Sequence, residues 1–79
     1  MKNSYLMKKK YRIGDMFTAN FPWESQEVWS ELHGFIPEGI HRGDSLLVLQ
    51  VVDKRLKVLT PQGTVGWVSV NIFEDDHHL

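Results

Sequence analysis

From Arg42 to Glu74 apolar residues come in short blocks or alternate with polar ones, and Gly, Asp and Pro punctuate them. Gly43-Asp44 is a turn signal before Leu46-Leu47-Val48-Leu49-Gln50-Val51-Val52. That run is too short for a typical helix and rich in strand formers, which predicts a strand buried on most of its length. Asp53-Lys54 reverses the chain into Arg55-Leu56-Lys57-Val58-Leu59-Thr60, where Leu56 and Val58 alternate with Arg55 and Lys57, so one face is wet. The reversal lacks an Asn-Gly or Asp-Gly pair, which predicts a loose turn. Pro61-Gln62-Gly63 predicts a better-formed one, with proline presetting φ and glycine free to take φ > 0. A third strand follows over Thr64-Val65-Gly66-Trp67-Val68. In it Trp67 and Val68 point to opposite faces, and Gly66 lets the backbone pass close beneath a neighbouring side chain. Three consecutive antiparallel strands make a meander, which at this size needs closure or a cover for its second face.

The first half is less regular. Tyr11-Arg12-Ile13 and a Gly14-Asp15 turn lead to a strand over Met16–Phe21. From Pro22 to His33 the signals conflict. Pro22, the early Glu24 and Glu27 and the closing Gly34 fit a short helix, whereas Val28 and Trp29 suit a strand. The reading adopted is an excursion loop with at most a turn or two of helix. Phe35 to Ile40 then returns the chain through a second turn. Asp15 and Asp44 each follow a turn glycine and are expected to accept hydrogen bonds from local backbone amides. The pattern as a whole predicts an all-β fold: a small barrel with a long aromatic loop.

Composition narrows the class. With 79 residues the chain holds one domain and buries about 60% of its unfolded surface. A 42% hydrophobic content supplies a core. Absence of cysteine excludes a disulfide framework, a thiolate metal site and a cysteine nucleophile. Neither a signal-peptide stretch nor a bilayer-length apolar segment is present, so the expected location is cytoplasmic, with no membrane partner. Residues 1–10 are expected to be a flexible basic segment, 11–74 the barrel and 75–79 a flexible acidic and histidine-bearing tail. The net charge of −1 provides no global field for polyanions. Lys8, Lys9, Lys10 and Arg12 crowd the beginning and Glu74, Asp75 and Asp76 the end, where a weak attraction between solvated clusters is the expected consequence.

The order Gly43-Asp44, apolar strand, short hairpin, Gly63-Thr64-Val65-Gly66-Trp67-Val68 and Ser69-Val70-Asn71-Ile72-Phe73-Glu74 resembles the Src-homology-3 domain, in particular its bacterial branch. The resemblance covers residues 43–74. It implies a five-stranded SH3-like barrel with a terminal 3₁₀ turn, in which Ile72 or Phe73 closes the core. Eukaryotic members bind proline-rich peptides on a tryptophan, a proline and a tyrosine; the matching positions here hold Arg55, Ser69 and Ile72, which argues against that ligand. Small bacterial or phage accessory proteins supply a fold-level analogy for such a stand-alone barrel.

Candidate chemistry concentrates in the aromatics. Phe21, Trp23, Trp29 and Phe35 crowd the loop, interleaved with Glu24, Glu27 and Glu31, and Trp67 faces away from Val68. Such side chains either cover a small core or anchor a protein partner. A nucleic-acid reading uses Lys8, Lys9, Lys10, Arg12, Arg42, Lys54, Arg55 and Lys57 instead. Self-association through an exposed edge or tryptophan is a third possibility. His33, His41 and Asp75-Asp76-His77-His78 show no ordered metal-ligand spacing, and no catalytic grouping or phosphate cradle is legible. The expectation is a binding module without cofactor, metal or enzymatic activity.

Overall fold

The computed structural model describes residues 10–74, for Glu74 the backbone alone. Its elements are β1 (Met16–Thr18), β2 (Ser25–Ser30), β3 (Gly34–His41), β4 (Ser45–Val52), β5 (Arg55–Leu59), β6 (Val65–Ser69) and a single helical turn, α1 (Asn71–Glu74). The strands form one antiparallel sheet in the order β1-β4-β5-β6-β2-β3. The all-β expectation holds, with six strands in place of five.

The additional strand lies where a loop or short helix was expected. Ser25–Ser30 is extended and pairs with β3, Trp29 opposite Phe35 and Ser30 opposite Gly34. Alternation decides the matter: Val28 points into the core and Trp29 to solvent, a period of two that a helix would scramble. Gly34 closes a hairpin in place of a helix, with φ of 75°. Ser30 shapes the reversal by accepting hydrogen bonds from the Leu32 and His33 amides, both at 3.1 Å. Nor does Pro37-Glu38-Gly39 make the expected turn. Between the pairs Gln26–Ile40 and Val28–Ile36, these three residues of β3 oppose Glu27 alone, so the Pro-Gly signal is spent on a bulge.

The sheet must curl. β3 and β4 lie at the sixth and second places in the order, yet only Arg42, Gly43 and Asp44 separate them in sequence. A connection that short brings the far ends of the sheet together. Backbone bonds stitch the gap: Ala19 N–H to Asp44 O at 2.7 Å, Gly43 N–H to Ala19 O at 2.9 Å and Arg42 N–H to Glu24 O at 2.9 Å. An extra residue in β4, Leu49, between the pairs Val48–Val58 and Gln50–Lys57, adds local bend. Past this bulge β4 runs out beyond the core, so burial is confined to its first half, where Leu46 and Val48 are wholly enclosed.

The enclosed face is one cluster. Val28, Ile40, Leu46, Val48, Leu56, Val58 and Val68 come from the strands, Ala19 and Phe21 from the segment after β1, and Val70 and Phe73 from the end. Phe73 of α1 meets Phe17 edge-on at 4.9 Å between ring centres and Phe21 at 6.2 Å, closing the core as anticipated for Ile72 or Phe73. Val28 is the tightest element. A Cβ added at Gly66 would stand 2.8 Å from its Cγ2, and one added at Gly39 would overlap the same methyl. The neighbour foreseen for Gly66 is therefore Val28 of the adjacent strand.

At the remaining turns the chemistry follows the sequence except at Asp53-Lys54. Asp15 Oδ2 accepts from the Arg12 amide at 3.1 Å and Asp44 Oδ2 from the His41 amide at 2.9 Å, as expected. Thr60 and Gly63 close the Pro61 turn through Gly63 N–H to Thr60 O at 2.9 Å. Asp53-Lys54, expected to be loose, is a tight two-residue reversal because Val52 pairs with Arg55 and Asp53 accepts φ of 55°. Aspartate is one of the few residues that visits this region without glycine's freedom.

Gly39→Ala is expected to lower the unfolding free energy by about 1–3 kcal/mol through overpacking against Val28. In a Val28→Ala background, where the obstructing methyls are gone, at least half of that cost should vanish. Urea denaturation of the four proteins of this cycle measures both; an undiminished cost would disconnect Gly39 from Val28. Replacing Asp53 by Val, which resists positive φ, should cost about 1 kcal/mol or more, and Asp53→Asn should be close to neutral in the same assay.

Candidate functional site

The strand register assembles the site. Phe35 on β3 lies opposite Trp29 on β2, Trp29 opposite Trp67 on β6, Trp67 opposite Lys57 on β5, and Lys57 opposite Gln50 on β4. Because facing residues in a sheet share a side, this row crosses five strands on the outer face. A second row, Met16–Leu47–Leu59–Val65, crosses β1, β4, β5 and β6 beside it and is entirely apolar. The outer face of a small sheet is normally its wet one. Here it carries Phe35 at 66% exposure, Trp29 at 42% and, at the tip of the β2–β3 hairpin, Leu32 at 87%.

β2 and β6 meet at one paired position, Trp29–Trp67. Where they diverge a groove of about 430 Å³ opens, lined by Trp29, Glu31, Arg55, Trp67, Val68 and Ser69. On the other side of Trp67 a smaller recess of about 200 Å³ includes Leu32, Lys57 and Val65. Trp67 is thus the ridge between two depressions.

Charge is arranged around that ridge. The Arg55 guanidinium carbon lies 5.7 Å and the Lys57 ammonium 5.9 Å from the Trp67 ring centre, within cation–π reach. Glu31 takes the Trp67 indole N–H at 3.3 Å and the Lys57 ammonium at 3.6 Å. Lys57 is therefore neutralised on the spot. Arg55 has no carboxylate within 4 Å among the described side chains. Ser69, opposite Arg55 on β6, accepts from the Asn71 amide at 3.1 Å and keeps its hydroxyl hydrogen for another acceptor.

The candidate aromatics separate into two groups. Trp29, Phe35 and Trp67 share the outer face. Phe21 does not join them: it is core, 2% exposed, because it follows Ala19 with strand spacing into the closing gap. Trp23 stacks on Phe21 with ring centres 5.3 Å apart and planes 16° from parallel, and its indole N–H donates to Gln26 Oε1 at 3.0 Å. It caps that end of the core at 40% exposure.

The basic candidates disperse likewise. Arg55 and Lys57 flank Trp67, and Lys54 occupies the adjoining turn, where its carbonyl accepts from the Val70 amide. Arg42 is committed elsewhere, donating to the Pro22 carbonyl at 2.7 Å. Lys10 and Arg12 are exposed before β1, and Lys8 and Lys9 lie outside the described residues, as do Asp75, Asp76, His77 and His78. His41 stands 4.0 Å from Glu38 and 3.9 Å from Asp44. Among the described residues no group of three His, Asp or Glu side chains is placed to hold a metal ion, and no helix is long and apolar enough to cross a membrane.

Glu31 and Leu32 are contributors that sequence reasoning missed. Their place depends on the β2–β3 hairpin and on the β2–β6 register, and the only local hint was a charge two positions from Trp29. Comparison of the chain with protein-family models, with curated proteins and with solved structures finds no match.

Glu31 is more than half exposed, so its ion pair with Lys57 contributes little to folding. Glu31→Gln should change the unfolding free energy by less than about 1 kcal/mol in urea titration. A larger loss would mean that the Glu31–Trp67 contact helps to hold the β2–β6 seam.

Proposed function

We propose that this chain is a small SH3-like binding module, without catalytic activity, that engages a protein partner through the outer face formed by Trp29, Phe35 and Trp67. The row of three facing aromatics across β3, β2 and β6, with Phe35 and Trp29 exposed and Trp67 half-buried beside a groove, carries this reading. Large aromatic side chains on rigid strands bury area at small entropic cost, and binding energy concentrates in such anchors. A domain this size has little stability to spare, so exposed tryptophans without a binding role would be a standing liability. The order of strands β4, β5 and β6 followed by a helical turn supports the SH3-like reading, and a soluble accessory role in the cytoplasm of a bacterium or phage host fits it by analogy.

The nucleic-acid reading draws on Arg55 and Lys57 beside Trp67, a pairing that also serves stacked bases. Neutralisation of Lys57 by Glu31 and diversion of Arg42 to Pro22 leave few free cations among the described residues of this face to track a phosphate backbone.

Trp29→Ala is expected to weaken capture of the native partner from a host lysate by about 2 kcal/mol or more, the loss typical of an interface anchor, while cooperative unfolding persists. Trp23→Ala should instead lower stability and leave capture intact. The paired readouts are quantitative affinity purification and thermal melting; capture unaffected by Trp29→Ala would sink the proposal.

A further inference from the structure

Resting on that reading, we infer that the groove between β2 and β6 takes an anionic peptide segment, in which a carboxylate lies beside a large apolar side chain. The apolar lining of the groove comes from Trp29, Trp67 and Val68. Its charged rim is asymmetric. Glu31 is held by Lys57 and by the Trp67 indole, so this carboxylate and this ammonium answer one another. Arg55 at the opposite rim rests over the Trp67 ring and has no carboxylate among the described side chains.

Among the described side chains, the uncompensated charge of the groove is therefore a guanidinium. Of all side chains it is best shaped to receive a carboxylate through two parallel N–H donors. It lies 5.7 Å from the centre of the Trp67 ring and lines the groove. Ser69, across from Arg55 on β6, adds a hydroxyl donor at the same end. A ligand that satisfies all of these groups places its carboxylate at Arg55 and Ser69 and lays an apolar side chain across Trp29 and Trp67. A cationic segment would meet Arg55 unpaired, and a nucleic-acid strand would bring several phosphates past Glu31 for one free cation among the described residues that line the groove.

The carboxylate has two possible sources, an Asp or Glu side chain or the C-terminus of the partner, and the test separates them. Random octapeptides displayed with free C-termini in one library and as internal segments in another are selected on the immobilised full-length chain. Selected sequences are expected to carry Asp or Glu, or a terminal carboxylate, within two positions of Trp, Phe, Tyr or Leu. Enrichment in both libraries assigns the side-chain source, and enrichment confined to the free-terminus library assigns the terminal one. Synthetic peptides from the selection should shift the indole N–H resonances of Trp29 and Trp67. Their affinity should fall roughly tenfold or more with the peptide's Glu→Gln or C-terminal amide, and equally with Arg55→Gln in the protein.

Peptides selected without acidic bias, or an affinity indifferent to Arg55→Gln, would overturn the anionic preference while leaving a peptide-binding aromatic face in place. Selection of no peptide, or binding of single-stranded oligothymidylate with a steep salt dependence, would remove both this inference and the function on which it rests.

Discussion

Val28 is the side chain on which three strands close. Its branched end lies against the backbone of Gly39 on β3 and of Gly66 on β6, so close that neither position has room for a methyl. Two glycines usually weaken a sheet, because each loses more chain entropy than any other residue and has nothing to pack. Here they act as sockets. β2 is the strand between them, and the contact draws the hairpin that contains it onto the meander formed by β4, β5 and β6. The hairpin and the meander are also tied by the Trp29–Trp67 pairing and by the contacts of Glu31 with Trp67 and Lys57.

The inner fit has an outer consequence. Seating Val28 inward obliges Trp29 to face outward, and seating Val68 inward does the same to Trp67. The two tryptophans are brought opposite each other by the register that the glycines permit. Below that pairing the strands part, and the groove occupies the parting. The aromatic face is thus a by-product of how the core is packed, which gives it the rigidity that a binding surface needs.

Strand periods and turn residues made much of the second half readable. Leu56 and Val58 inward, Trp67 opposed to Val68, the aspartates capping their own turns and the role of Gly66 all follow from local rules. The first half was obscured because Pro22, Glu24, Glu27 and Gly34 supply helix punctuation around a segment of only six strand residues. Its alternation was too short to outweigh that punctuation. Pro37 and Gly39 likewise signalled a turn, and only the pairing partner shows that they form a bulge instead. The site was partly legible for the same reason: Trp29, Phe35 and Trp67 could be named as candidates, but the separation of Phe21 and Trp23 from them, and the entry of Glu31, depend on long-range register.

That register spans a long stretch of chain. Glu31 and Trp67, which share a hydrogen bond across the seam, are 36 residues apart, whereas the β2–β3 hairpin and the three-strand meander are each built from near neighbours. As a polymer the protein is two locally assembled pieces joined into a ring, and the entropy of closing a loop falls on the join. The groove therefore sits at the part of the molecule whose formation reports that the whole chain has been threaded correctly, so a ligand seated there reads global topology as well as local shape.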